Sequence, residues 1–277
     1  MSERTLQGDE LARFARSGFV LARAFLSLER IREVREGLEG LVDRDEEQQD
    51  DRFYYEPSRI HPDRRLLRRV ERPSELSEPT AALARSETLV AACTQLLGEP
   101  ALLFKDKLNL KQAGGAGFPL HVDGHFWWTD DSGQRRRGWL EYASGFVNAV
   151  VFLDSATAEN GPFRVCPLEE SSKVLGGSFE ERIAHVTSDI AEIRAETAAR
   201  LPMHEIHAGP GDVLFFDWRV PHGSAANLSA SERPLMIFTY NGSSAGDCRE
   251  RYYAGKSTSL GPRSKKSVLP TTPHSRR

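Results

Sequence analysis

Apolar and polar positions change their period along this chain, and the change divides it in two. Over the first hundred residues the apolar positions recur every three or four. Leu28, Ile31, Val34, Leu38 and Leu41 form one stripe, the spacing of a helix that buries a single face. The pattern predicts a helix over 27–43 with Ser27 as its N-cap, a shorter one over 8–17 closed before Gly18, and a third over 78–97 ending at Gly98-Glu99-Pro100. Phe19-Val20-Leu21 reads as a brief extended piece between the first two. From about residue 101, short apolar or alternating runs take over: ALLFKDKLNLK, SGFVNAVVFLD, GPFRVCP, GDVLFFDW and PLMIFTYN, separated by Gly, Pro, Asn and Asp. Such runs predict antiparallel strands of a sandwich or barrel. A helical interruption is expected over 178–200. The whole reads as a single domain over 1–254, mostly helical over 1–100 and β-rich over 101–254. A mobile basic tail is expected over 255–277. The charged run 43–52 reads as a solvated loop.

Composition narrows the function classes. A formal net charge of −3 over 277 residues offers no electrostatic case for nucleic-acid binding. No apolar run is long enough for a membrane span, and the first ten residues lack the apolar centre of a signal peptide. Cys93, Cys166 and Cys248 are too widely spaced for a zinc knuckle or a disulfide framework. A cytoplasmic protein without structural disulfides is the expectation, its oligomeric state left open.

Two segments carry chemistry. In FPLHVDGHFWW, His121 and Asp123 stand two apart. On a strand such residues share a face, with Cα atoms roughly 6.6 Å apart, so an imidazole and a carboxylate could meet at one ion. In DVLFFDWRVPHGSAAN, His222 follows a strongly apolar run and a proline. Brought beside the first pair, it would complete a set of two histidines and one carboxylate, which holds Fe(II) on one face and leaves the opposite positions open. Arg233 lies eleven residues after His222, where a returning strand would set its fork near the metal but deeper, suited to a carboxylate. Ser224 is a plausible second donor.

These features together resemble the phytanoyl-CoA dioxygenase family of Fe(II)/2-oxoglutarate-dependent oxygenases, including its ectoine-hydroxylase branch. His121-Val122-Asp123 is similar to the family's HxD, and His222 to its distal histidine, with Ser224 and Arg233 at the family's offsets. Asn109-Leu110-Lys111 is similar to a strand whose Asn binds 2-oxoglutarate. Trp127 matches a pocket aromatic, and Leu153-Asp154 followed by Asn160-Gly161-Pro162 matches a strand and turn. The resemblance runs from about 10 to 250. It implies a mainly β fold with flanking helices around a double-stranded β-helix (jelly-roll, cupin-like) core. It also implies iron held by His121, Asp123 and His222, 2-oxoglutarate held by Asn109, Ser224 and Arg233, and dioxygen as the oxidant. The implied outcome is oxidation of an unactivated C–H, most simply hydroxylation, with succinate and CO2 released. Desaturation, cyclisation and epimerisation share the same iron chemistry. A carboxylate at Asp123 argues against halogenation, which needs a small residue there. A non-catalytic barrel, or a zinc- or manganese-dependent one, is the competing class. Where the family has a PGSH-type turn, this chain reads CPLEESSK over 166–173, a difference on the substrate side.

Candidate substrate contacts are Lys105, Lys107, Lys111, His125, Trp127 and Trp139. KDKLNLK alternates, so Lys105, Lys107, Asn109 and Lys111 should share one face. If Asn109 faces the metal, the lysines face the interior too. Interior lysines with no acid beside them imply an anionic guest, such as an amino acid, an aminophosphonate or a natural-product intermediate. His125 reads equally as a fourth ligand, a substrate contact or a polar residue at the site's mouth. The tryptophans read as pocket or core.

Overall fold

The computed structural model describes residues 4–42, 51–125, 127–129, 132–176, 183–187 and 190–260. Helix α1 spans Gly8–Ser17 and ends on Gly18, whose φ of 77° lies in the left-handed region that glycine adopts without strain. Helix α2 spans Leu28–Val42, and its stripe of Ile31, Val34, Leu38 and Leu41 is buried. The helix expected over 78–97 is two, α3 (Glu78–Ala84) and α4 (Glu87–Leu97). Ser86 divides them: its hydroxyl donates to Leu83 O and accepts from Leu89 N as the N-cap of α4. Three further helices follow: α5 (Leu168–Leu175), α6 (Ala195–Ala198) and α7 (Arg249–Leu260). Helix α7 enters the stretch expected to be a mobile tail; positions 261–277 of that expectation, and most of the run 43–52, lie outside the described residues.

The strands are, in order, β1 (Phe19–Ala22), β2 (Phe53–Pro57), β3 (Arg65–Glu71), β4 (Ala101–Asn109), β5 (Phe118–Val122), β6 (Trp128–Thr129), β7 (Arg135–Arg136), β8 (Phe146–Phe152), β9 (Phe163–Val165), β10 (Ile183–Thr187), β11 (Ile190–Ile193), β12 (His204–Ile206), β13 (Val213–Asp217), β14 (His222–Ser224) and β15 (Leu235–Gly242). They build two main antiparallel sheets. The larger has the order β1-β13-β8-β15-β4-β3-β2, and the smaller β10-β11-β5-β14-β9-β12. Val150, Phe152, Leu214, Phe216, Leu235 and Ile237 from the larger sheet meet Phe163, Val165 and Ile206 from the smaller, closing the jelly-roll core. Alternate residues on the other face of the larger sheet, including Val147, Ala149, Val151, Phe215, Met236 and Phe238, pack with α2 and α4 in a second core. No helix among the described residues is long and apolar enough to cross a membrane.

The helical expectation over 178–200 is overturned. That segment holds the antiparallel pair β10 and β11, with helix only at Ala195–Ala198. Strand β11 then pairs with β5, Ala191 opposite Val122 and Glu192 opposite His121. The pair therefore covers the edge of the strand that carries His121.

A bulge in β3 and another in β4 shape the interior. On β3, Tyr54 faces Arg69 while Tyr55 faces Leu67, leaving Arg68 as the extra residue. On β4, Thr239 faces Lys105 while Tyr240 faces Leu103, leaving Phe104 extra. A bulge breaks the two-residue alternation and turns neighbouring side chains to one side. Thus Phe104 packs edge-on against Trp139, and the Lys105 Nζ also lies 5.5 Å from the Trp139 ring.

Candidate active site

Strand β13 leaves the larger sheet at Asp217, and residues 218–221 carry the chain across to β14 in the smaller one. The turn is held by Val220 N donating to Asp217 O and by Asp217 accepting from Arg219. Pairing of β14 with β5 then sets His222 directly opposite His121, with ring centroids 4.2 Å apart. The strands approach closely because residue 223 is glycine: a Cβ there would sit 2.9 Å from the Phe118 carbonyl oxygen. Asp123 follows β5, its N–H donating to Trp218 O. Each of His121, Asp123 and His222 offers a ligand atom within 4.8 Å of the others, and all three are buried.

Protonation suits this group to a cation. The Nδ1 of His121 lies 2.7 Å from Pro119 O, and that of His222 lies 2.9 Å from Val220 O. A carbonyl only accepts, so each Nδ1 bears the hydrogen and each Nε2 presents a lone pair. Burial, and next the proximity of His222, lower the His121 pKa to about 3, Asp123 opposing. Burial lowers that of His222 too. Both rings are neutral at ordinary pH. Phe163 stacks on His222 at 5.3 Å and Phe216 lies 4.6 Å from it, so apolar surface walls that imidazole.

A cationic end lies alongside. After β14 the chain loops back, and Arg233 N donates to Lys111 O before β15 begins. Arg233 is 1% exposed, and its Nε and Nη1 have no hydrogen-bond partner among the described residues. Burial lowers its pKa to about 10, which still leaves it charged. A buried guanidinium with unmet donors is costly unless an anion meets it, which suits this end of the site to one. Asn109, also buried, has an unpartnered Oδ1. Lys111 lies at this end: its Nζ donates to Ser224 Oγ at 2.6 Å and to Ala225 O. Residue 111 has φ of 40°, so the alternation of β4 ends before it. The expectation that Lys111 shares a row with Lys105 and Lys107 is corrected accordingly. Burial first, then Arg233 and Arg68, lower the Lys111 pKa to about 6.

The other sequence-derived candidates divide. Lys105, Lys107 and Asn109 do share a face, opposite Thr239, Ile237 and Leu235. Lys107 lies close enough to depress the pKa of both His121 and His222. Lys105 does have an acid beside it, contrary to the expectation: its Nζ is 3.7 Å from Glu71 Oε1 and 3.2 Å from the Tyr252 hydroxyl. His125 stacks on Trp218 at 5.0 Å and is not part of the ligand group. Trp139 is buried against Phe104 and Phe146, and Trp127 lies under the Arg135 guanidinium, 4.3 Å away.

Several polar groups of the interior were not picked out from the sequence. Arg69 and Glu71 of β3 pair with each other at 3.3 Å, beside Lys105. Arg68 pairs with Glu56, donates to Gly117 O and lies 4.1 Å from the Phe118 ring centroid. Asn148 of β8 donates to Asp123 Oδ2 at 2.9 Å. Its sequence signal is simple: it is the one polar residue in FVNAVVF.

Comparison with known proteins agrees with this geometry. The family model described as Phytanoyl-CoA dioxygenase (PhyH) matches residues 14–235. A 2-aminoethylphosphonate dioxygenase from the uncultured bacterium HF130_AEPn_1 is 29% identical over 246 residues, 89% of this chain and 86% of its own. A methylphosphonate hydroxylase from Gimesia maris is 28% identical over 258 residues, 92% of this chain and 88% of its own. Among solved structures, EctD from S. alaskensis with 2-oxoglutarate and 5-hydroxyectoine shares the fold at a TM-score of 0.65. It is 21% identical, over 88% of this chain and 79% of that one.

Proposed function

The chain belongs to the phytanoyl-CoA dioxygenase family, and on that premise we propose that it is an Fe(II)- and 2-oxoglutarate-dependent dioxygenase that hydroxylates a C–H of a small anionic metabolite. One observation carries the reading: two neutral imidazoles and a carboxylate converge beside a buried guanidinium with unmet donors. His121, Asp123 and His222 would hold the iron, and Arg233 with Ser224 and Lys111 the far carboxylate of 2-oxoglutarate. Asn109 would complete the cosubstrate's contacts. Bound iron with 2-oxoglutarate and dioxygen supplies an oxidant able to attack an unactivated C–H, with succinate and CO2 as the other products.

The protein's own work is positional. Backbone carbonyls fix both imidazoles, and Phe163 and Phe216 keep water from His222. Lys107, on the interior face of β4 and near both imidazoles, is the anchor for a substrate anion. Lys105, beside Glu71 and the Tyr252 hydroxyl, supports the wall. His125, stacked on Trp218, and Trp127, under Arg135, stay as candidate substrate contacts, whereas Trp139 packs in the aromatic cluster with Phe104 and Phe146. The phosphonate-acting relatives are consistent with an anionic guest, and an amino acid, an aminophosphonate or a natural-product intermediate all fit that chemistry.

Anaerobic addition of Fe(II) and 2-oxoglutarate to the apoprotein tests this directly. A visible metal-to-ligand charge-transfer band is expected in the wild type, weaker in Arg233→Leu at equal 2-oxoglutarate. Screening of carboxylates and phosphonates by succinate release then identifies the substrate. A folded wild-type protein that gives no band refutes the assignment.

A further inference from the structure

The most conspicuous polar group outside the ligand set is Asn148. It sits 1% exposed in a strand whose other six residues are apolar. An amide in such a place carries a desolvation penalty unless both of its ends are bonded, and both are. Its Nδ2 donates to Asp123 Oδ2 at 2.9 Å, and its Oδ1 accepts from Thr239 Oγ1 at 2.6 Å. Thr239 is the residue directly opposite on β15, the position from which a short hydroxyl reaches a cross-strand neighbour.

The chemistry determines the amide's orientation. A carboxylate oxygen accepts only, so the NH2 end must face Asp123. The oxygen end then needs a donor, and the threonine hydroxyl has one to give. The same Asp123 Oδ2 stands 3.8 Å from His222 Nε2, on the side where the three ligand atoms gather. The pair therefore acts on the carboxylate at its metal-facing oxygen.

We propose that Asn148 and Thr239 are positioning residues for the metal site: Asn148 fixes the plane of the Asp123 carboxylate, and Thr239 locks Asn148 in the orientation that does so. The proposal rests on the assignment of iron to His121, Asp123 and His222. It extends that assignment across the sandwich, since β5 lies in one sheet and β8 and β15 in the other. A carboxylate released from Asn148 can rotate, and loss of such supporting hydrogen bonds lowers metal affinity by about 10- to 100-fold.

The experiment is anaerobic Fe(II) titration of the apoprotein, followed by the charge-transfer band with 2-oxoglutarate. The variants are Asn148→Leu, Thr239→Val and both together, with the melting temperature of each apoprotein as the folding control. Asn148→Leu should weaken iron binding by about 10-fold or more and displace the band. Thr239→Val, nearly isosteric, should give a smaller effect in the same direction. It also serves as the test if Asn148→Leu does not fold. Because Thr239 acts through Asn148, the double variant should bind iron no worse than Asn148→Leu. Wild-type affinity and band position in folded Asn148→Leu would overturn the proposal, or in Thr239→Val if only that one folds. So would a double variant showing the product of two independent losses. Failure of the wild type itself to bind iron would instead refute the metal assignment.

Discussion

Lys111 gives the cosubstrate site a proton to take up. Its amine is buried beside Arg233 and Arg68, and its pKa is lowered to about 6. Arg164 acts in the same direction and the Glu56 carboxylate opposes it. At pH 8 the amine is therefore only about 1% protonated. With the far carboxylate of 2-oxoglutarate held between Arg233 and Lys111 as proposed, the charged form would be favoured and the pKa would return toward its ordinary value. Binding at pH 8 should then take up about one proton per 2-oxoglutarate, about half a proton at pH 6, and almost none at pH 5. The sign follows: a pKa lower in the free site than in the complex means that acid favours binding. Affinity should fall by about tenfold per pH unit above 6 until the pKa of the complex is reached. Isothermal titration calorimetry of the metal-loaded protein, without oxygen and in buffers of different ionisation enthalpy, measures the uptake. Lys111→Met should abolish it and flatten the pH dependence. Wild-type uptake below about 0.2 proton at pH 8, or equal uptake in Lys111→Met, would refute the reasoning.

The same pKa acts on stability. Between pH 6 and 10.5 the unfolded chain holds the Lys111 proton and the folded one does not, so this residue's contribution makes the apoprotein more stable as pH rises. Chemical denaturation should show that slope reduced in Lys111→Met. His121→Ala or Asp123→Ala should lose iron while keeping the fold, measured as bound metal and melting temperature. Lys107→Ala should raise the substrate KM by tenfold or more with a smaller change in kcat, read in a succinate assay; an unchanged KM would remove Lys107 as the anion anchor. Gly223→Ala forces a Cβ against the Phe118 and Pro119 carbonyl oxygens, at 2.9 and 3.1 Å. It should destabilise the protein by about 1–3 kcal/mol in denaturant titration and weaken iron binding.

The His121–Asp123 pair was legible because its spacing is local; His222, 99 residues after Asp123 (222 − 123), joined it through the family resemblance, which also supplied the offsets of Ser224 and Arg233. The strand pair β10–β11 was not legible for a definite reason. Ile183, Val186, Ile190 and Ile193 recur at three, four and three residues, which is a helical stripe. The contrary signal was the β-branched character of those residues. Bulges hide from periodicity altogether, because one extra residue reverses the face of everything beyond it. That is why Arg68 and Phe104 gave no sign of facing inward. Lys111 escaped its expected row through a left-handed backbone angle at a non-glycine residue, which no pattern of residue types records. Glu71 escaped notice because its partner Lys105 is 34 residues away (105 − 71) on a neighbouring strand.

The crossing of the chain at 218–221 has a consequence for how the enzyme fails when heated. The residues that would hold iron lie on or just after strands of the smaller sheet, whereas Lys107 and Asn109 belong to the larger one, and Arg233 immediately precedes its strand β15. The hydrogen bond from Asn148 to Asp123 ties the two plates together. Thermal widening of the gap between them would slacken the hold on the organic reactants before it disturbed the imidazole pair, both of whose members sit on one plate. Gentle warming should therefore leave the two histidines together while the Asn148–Asp123 bond stretches, giving a protein that holds its metal more loosely and has already lost its aim.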